Sequence, residues 1–439
     1  MKKDSSRFVF FLLIIFSFQT FFSCSIQKRL NKSAYDTIIG NEALQSANIG
    51  ISIFDPANNK FLYNYQADHL FIPASNTKLF TLYAGLKYLP DSLVAARIMH
   101  DGQTVVVQAT GDPTFLHPDF QNQPLLTFLQ QKAITSVRIN TPFRSESFGR
   151  GWAWDDYPYD YMAERDPFPI YGNLATIIFE ADTIRTVPPT IKPFVIGMPA
   201  KGEVWSVTRQ LGTHFYTIND SNGSAASKKT ITTAMEKGLF AARYLADTLH
   251  KEVTTDPTIL HPTSFIPIYS QPKDSVFKLM MHRSDNFFAE QTLLMAGNEF
   301  LGEMNDVKMI DTLLKTDFKD LPQKPRWADG SGLSRYNLFS PKDFVWILQK
   351  LKTDFGVDKM KTLLPGANEG TLEGLYKGYE QHIFAKTGTL SNQLALSGYL
   401  ITRHNHLLIF SILVNNHTAL TSSLRHEIES FITSIIDKN

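Results

Sequence analysis

Apolar and polar positions along this chain change period several times, and each change marks an element. From Ile49 to Asp55 apolar residues alternate with small or polar ones. Pro56–Asn59 then has turn chemistry, and Lys60–Tyr65 alternates again, which predicts a β-hairpin. A helix is predicted to open near Ser75, just after Pro73, because Leu79, Tyr83 and Leu86 recur on one face. From about residue 100 to about 225 the texture becomes short β-type runs (Thr104–Ala109, Ala175–Glu180, Phe194–Ile196, His214–Ile218) broken by Pro, Gly and Asn. Helical spacing returns over Ile231–Leu249, where Met235, Leu239, Ala242 and Leu245 recur, and again over Val276–Ala296. Strands are predicted at His382–Lys386, Leu394–Thr402 and Leu407–Val414, with Arg403–His406 turning between the last two. An amphipathic helix from Thr421 to Ile436 follows. A sheet with flanking helices, interrupted by a β-rich insertion, is an α+β plan.

A chain of 439 residues exceeds what one hydrophobic core supports, so two or more domains are expected. The reading divides it into a targeting segment (1–23), a first core part (24–98), an inserted β-rich region (99–228) and a second core part (229–439). Lys2, Lys3 and Arg7 precede an apolar run from Phe8 to Phe18, the order of a secretory signal and too short a run to span a bilayer. Cys24 is the only cysteine, so no intramolecular disulfide is available. Its place after Ser23, where the apolar run ends, resembles the acceptor cysteine of a bacterial lipoprotein signal; the alternative is an ordinary signal peptide with an incidental cysteine. The expectation is export to the bacterial cell envelope, the periplasm, with a lipid anchor on Cys24. Lys and Arg number 43 against 42 Asp and Glu, which gives no electrostatic reason to expect nucleic acid as a partner.

Three short motifs carry the chemistry: Ser75-Asn76-Thr77-Lys78, Ser284-Asp285-Asn286 and Lys386-Thr387-Gly388-Thr389. In this order they spell the S-x-x-K, S-D-N and K-T-G set of serine acyl-transfer enzymes. On a helix, residues three apart face the same way, so Ser75 and Lys78 are expected to meet. A serine hydroxyl attacks only when a base takes its proton, and a lysine serves as that base only when burial and a neighbouring positive charge favour its neutral form. Lys386 is the candidate for the neighbouring charge. Ser284 is a candidate proton relay and Asn286 a candidate for holding substrate backbone. Thr387 and Thr389 suit a carboxylate, and Gly388 allows close approach to the backbone. Each motif alone has a plainer explanation: a surface turn, a helix N-cap, an edge-strand lysine with a bulge. Their joint occurrence outweighs these. The reading calls for no cofactor and no metal.

With these motifs the sequence resembles the penicillin-binding D-alanyl-D-alanine carboxypeptidase/endopeptidases of the low-molecular-weight class C type. Gly111-Asp112-Pro113, Gly151-Trp152-Ala153-Trp154-Asp155-Asp156, Asp329-Gly330-Ser331-Gly332-Leu333-Ser334 and Gly370-Thr371-Leu372 extend the likeness from about residue 45 to the C-terminus. The resemblance implies a penicillin-recognising, serine transpeptidase/β-lactamase-like core, an antiparallel sheet flanked by helices, with β domains inserted between the first two motifs. It implies an acyl-enzyme on Ser75 activated by Lys78, assistance from Ser284 and Asn286, and a substrate carboxylate held by Lys386, Thr387 and Thr389. The backbone N–H groups of Ser75 and Thr389 would form the oxyanion hole. Peptidoglycan stem peptides would be substrates and β-lactams inhibitors. The rival readings are a serine β-lactamase, against which the absence of a convincing E-x-x-L-N pattern and the size of the insertion argue, and a non-catalytic peptidoglycan-binding envelope protein, against which the intact motifs argue.

Other constellations have plainer readings. His404 and His406 are expected in a solvated turn rather than on a metal. Trp152, Trp154, Tyr157, Tyr159 and Tyr161 are expected to pack the core of the insertion, with a sugar-stacking surface as the alternative. Asp155 and Asp156, being adjacent, point apart and do not make a glycosidase pair. Ser331 has no evident base.

Overall fold

The computed structural model describes residues 27–180, 183–196, 206–211, 213–219, 227–258 and 264–438; the expected targeting segment (1–23) and Cys24 lie outside them. Among the described residues no helix is long and apolar enough to cross a membrane. The chain forms two compact units: Met1–Leu79 with Leu321–Arg326 and Asn337–Asn439, and Phe80–Asp320 with Trp327–Tyr336.

The first unit is built on a five-stranded antiparallel sheet in the order Ile383–Leu390, Gln393–Ile401, Leu407–Asn415, Asn48–Asp55, Lys60–Tyr65. Strand alternation gives the sheet two different faces. Ile49, Ile51, Ile53, Leu394, Leu396, Leu400, Phe410, Ile412 and Val414 share a core with Leu424, Ile428, Phe431 and Ile435 of the C-terminal helix Thr421–Lys438. The opposite pleat carries Gly50, Ser52, Ser397, Ser411 and Lys386, with Ser52 opposite Ser411, Ser411 opposite Ser397 and Ser397 opposite Lys386. Helix Pro341–Phe355 packs on this second face, where Tyr399 donates to the Leu348 carbonyl at 2.6 Å. The bare Cα of Gly50 makes room there, since a Cβ would sit 2.5 Å from the Phe71 ring.

The second unit has its own hydrophobic core. It contains a mixed five-stranded sheet ordered Glu252–Asp256, Ser136–Asn140, Thr104–Ala109, Ser92–Asp101, Ile266–Pro272, and two three-stranded sheets. Among the described residues it also contains helices Pro124–Leu129, Leu239–Leu249, Lys273–His282, Asn286–Leu301 and Asp306–Lys315.

The predicted hairpin, the last three strands and the C-terminal helix appear where alternation and helical spacing put them. Three expectations need correction. Ile231–Leu249 is helical only from Leu239, because Glu236, Lys237 and Gly238 have φ of 47°, 53° and 94°, and Ile231 belongs to the strand Ser227–Thr232. Val276–Ala296 is two helices rather than one, broken at 283–285. The boundaries drawn at 98/99 and 228/229 fall inside strands Ser92–Asp101 and Ser227–Thr232, and the unit division lies elsewhere, because those strands pair on both sides of the cuts.

Candidate active site

The first motif occupies a tight turn before a helix. Ala74–Thr77 is a 3-10 turn, and the α-helix runs Lys78–Tyr88. Ala74 takes φ 48°, a left-handed conformation that costs a residue with a Cβ about 1–2 kcal/mol. That cost is borne immediately before Ser75, and strained backbone often accompanies function. Ser75 is half-buried and Lys78 fully buried, and the Lys78 Nζ donates to Ser75 Oγ at 2.9 Å. The expected meeting of hydroxyl and amine is present.

Lys386 lies on the edge strand Ile383–Leu390, against which the Ala74–Thr77 turn packs. Its side chain is fully buried, and Nζ donates to the Thr387 carbonyl at 2.9 Å. Burial, and then the charge of nearby Lys78, press its amine well below the ordinary lysine range. Gly388 is what lets strand and turn approach. A Cβ there would lie 2.6 Å from the Pro73 carbonyl oxygen and 3.1 Å from the Ser75 nitrogen. The backbone that Gly388 admits in this structure is the protein's own turn at Pro73–Ser75.

A second tie holds that turn. Asn76 Nδ2 donates to Ser397 Oγ at 2.7 Å, and Ser397 Oγ donates to Ser411 Oγ at 2.8 Å, all fully buried. The Asn76 Oδ1 has no partner among the described residues. Sequence reasoning saw Asn76 only as a spacer and missed Ser397. The available signal was a serine in an otherwise apolar strand, on the same pleat as the motif lysine.

Thr387 and Thr389 take the other pleat from Lys386 and Gly388. Thr387 lines a small cleft with Tyr376, Leu394 and Arg425, and Thr389 is exposed, with Oγ1 accepting from Arg425 Nη2 at 3.2 Å. Arg425, on the C-terminal helix, was also missed.

The second motif belongs to the second unit. Ser284 sits in the break between two helices with φ 60°. The helix cap is its neighbour: Asp285 accepts from the Phe288 N–H at 2.9 Å. Asn286 opens the helix, and its Nδ2 donates to the Tyr161 carbonyl at 2.9 Å, which orients the amide. One turn deeper, Glu290 is fully buried, accepts from the Ser331 N–H at 2.7 Å and pairs with Arg165. Burial, with Asp329 adding to it, pushes the Glu290 carboxyl up to about 7. Arg165 also pairs with Asp306 at 2.6 Å. Asp329 accepts from Trp152 Nε1 at 2.8 Å and from the N–H groups of Gly332 and Ser334. This network ties the motif helix to two of the four stretches quoted for the family resemblance, Gly151–Asp156 and Asp329–Ser334. A glutamate inside the apolar run from Phe287 to Leu294 was its signal.

The aromatic stretch does not pack as a core throughout. Tyr157 is buried, but Trp154, Tyr159 and Tyr161 are 77%, 49% and 41% exposed. The two short turns Trp154–Asp156 and Asp160–Met162 carry those rings outward, and Tyr159 stacks on Tyr161 at 5.3 Å. Tyr161 Oη donates to Asp156 at 2.7 Å. Ser331 is fully buried and contacts Asp329, which leaves it no role as nucleophile.

The chain is 24% identical to a D-alanyl-D-alanine carboxypeptidase of Actinomadura sp. (strain R39), over 87% of this chain and 80% of that one. It is 22% identical to the D-alanyl-D-alanine carboxypeptidase DacB of Haemophilus influenzae, over 95% and 94%. The crystal structure of penicillin-binding protein 4 (DacB) from H. influenzae superposes with a TM-score of 0.74 at 19% identity, covering 92% of this chain and 98% of that one. A predatory peptidoglycan endopeptidase of Bdellovibrio bacteriovorus gives 0.54 at 12% identity, covering 90% and 93%. These likenesses show the penicillin-recognising fold. The D-Ala-D-Ala carboxypeptidase 3 (S13) family matches residues 31–435, and the chain belongs to it.

Proposed function

We propose that Ser75 carries the acyl group in a serine D,D-peptidase reaction on peptidoglycan stem peptides. Lys78, in its neutral form, takes the Ser75 proton as Oγ bonds to the carbonyl carbon of the penultimate D-alanine. The C–N bond to the terminal D-alanine, or to the amine of a D-alanyl cross-link, then breaks. Ser284 passes the proton to the leaving nitrogen, and Asn286 orients the peptide. The N–H groups of Ser75 and Thr389 receive the oxyanion. Lys386, Thr387 and Thr389 hold the substrate carboxylate, and Gly388 keeps strand and nucleophile turn in register. Water cleaves the ester and releases the shortened peptide. One observation carries the reading: a fully buried lysine amine lies 2.9 Å from the motif serine hydroxyl. The H. influenzae protein is known in complex with a β-lactam and the Bdellovibrio endopeptidase acylated by penicillin G, which supports β-lactams as inhibitors of this chain.

The test is incubation with a fluorescent penicillin followed by denaturing electrophoresis. Wild type is expected to label, and Ser75→Ala and Lys78→Ala are expected not to, while both remain folded. Equal labelling of Ser75→Ala removes that residue from the mechanism.

The same reading includes export to the periplasm and lipidation of Cys24, supported by Lys2, Lys3 and Arg7 ahead of an apolar run that ends at the cysteine. Metabolic labelling with a fatty acid is expected to mark the wild type and not Cys24→Ala; labelling of both places the lipid elsewhere.

A further inference from the structure

We propose that Arg425 is a substrate-binding residue for the terminal carboxylate, outside all three motifs. This rests on the acyl-enzyme reading above. Arg425 is half-buried on the helix Thr421–Lys438, and its guanidinium donates to Thr389 Oγ1 at 3.2 Å. It shares a cleft with Thr387. Two motif hydroxyls and a guanidinium therefore converge on one pleat of an edge strand.

What singles out this arginine is its missing anion. Among the described residues no Asp or Glu lies within ion-pair distance of it. On the same helix His426 pairs with Glu429, and Asp437 pairs with Arg403. The second unit's buried arginines are matched as well, Arg165 by Glu290 and Asp306 and Arg209 by Glu164. A guanidinium drawn partly out of water and answered only by a neutral hydroxyl is set up for a ligand carboxylate, which its planar donors grip two at a time. Lys386 is fully buried with its amine held well below the ordinary lysine range, and the threonine hydroxyls bind a carboxylate and an uncharged carboxamide without great preference. Arg425 adds the charge that separates them, so it sets specificity for a free carboxylate beside the scissile bond.

The experiment compares one synthetic peptide ending in D-Ala-D-Ala with its C-terminal carboxamide, on wild type, Arg425→Ala and Arg425→Lys. The ratio of kcat/KM for acid over amide is expected to fall about ten- to hundredfold in Arg425→Ala, carried by KM, with Arg425→Lys in between. A merely structural role lowers both substrates together and leaves the ratio intact, which overturns the proposal. So does an unchanged ratio with unchanged rates. Dissociation constants for the acid peptide, measured in the Ser75→Ala background with and without Arg425, separate this question from the mechanism. Hydrolysis by Ser75→Ala counts against the acyl-enzyme reading, whereas equal dissociation constants with and without Arg425 count against the proposal alone.

Discussion

Lys386 is fully buried, and a buried amine prefers to be neutral. Its amine is held well below the lysine range by desolvation first and the Lys78 charge second. In the window between its folded value and the ordinary lysine value, the unfolded chain holds a proton that the folded chain lacks. Stability therefore rises with pH through that window and is lowest below it. Lys386→Met removes this cost, so the variant is expected to melt at least as high as wild type near neutral pH, measured by circular dichroism. The two buried amines repel each other when both carry a proton, so the same substitution also removes the repulsion that disfavours a proton on Lys78. The acidic limb of the penicillin-acylation profile should then move to higher pH. A profile that stays in place means Lys386 does not tune the base. Asn76 is the other residue that acts on the motif indirectly. Asn76→Ala removes a donor from the Ser397 hydroxyl, which keeps its bond to Ser411, and unties the turn, at about 1 kcal/mol of stability, and thermal melts should show the loss. The nearness of Lys386 to Lys78 was legible from the motifs, whereas Asn76 and Ser397 are brought together only by the sheet.

Two elements are shaped around the motifs, one by a close backbone approach and the other by a left-handed residue. In the first, Gly388 passes beside the Ala74–Thr77 turn with no room for a side chain. Gly388→Ala forces strand and turn apart at two backbone atoms, neither of which is a flexible side-chain end. The expected cost is about 1–3 kcal/mol, together with a fall in penicillin labelling of at least tenfold; labelling at the wild-type rate would show that the close packing is incidental. In the second, Ser284 occupies a left-handed position in a two-helix break. Ser284→Gly relieves that strain and should raise stability by about 1 kcal/mol while acylation slows, since the hydroxyl is lost. A lower melting temperature would contradict it. The hairpin 49–65 and the last three strands were readable because alternation and turn residues agree there. The break at 283–285 was not, because apolar spacing continues across it from Val276 to Ala296 and hides a cap made by one aspartate.

The chain crosses from one unit to the other at Leu79/Phe80, Asp320/Leu321, Arg326/Trp327 and Tyr336/Asn337, and each unit encloses its own hydrophobic cluster. The first unit buries the facing amines of Lys78 and Lys386 and the second buries the Glu290 carboxyl, so these two sites should depend on pH in different ways. In the second unit Glu290 is pushed to about 7 because desolvation and the neighbouring Asp329 outweigh the opposing pull of Arg165 and the Ser331 N–H. The folded state then keeps a proton that the unfolded chain has released between about pH 4.5 and 7, so this group's contribution to stability declines as pH rises through that window. Glu290→Gln keeps an acceptor for the Ser331 N–H and carries no charge at any pH. Its melting temperature should gain on wild type as pH goes from 5 to about 8, followed by the fluorescence of Trp152 and Trp327, both in this unit. The opposite trend would mean that Arg165 wins, that the carboxylate is stabilised by its ion pair, and that the helix carrying Ser284 and Asn286 is anchored by charge rather than despite it.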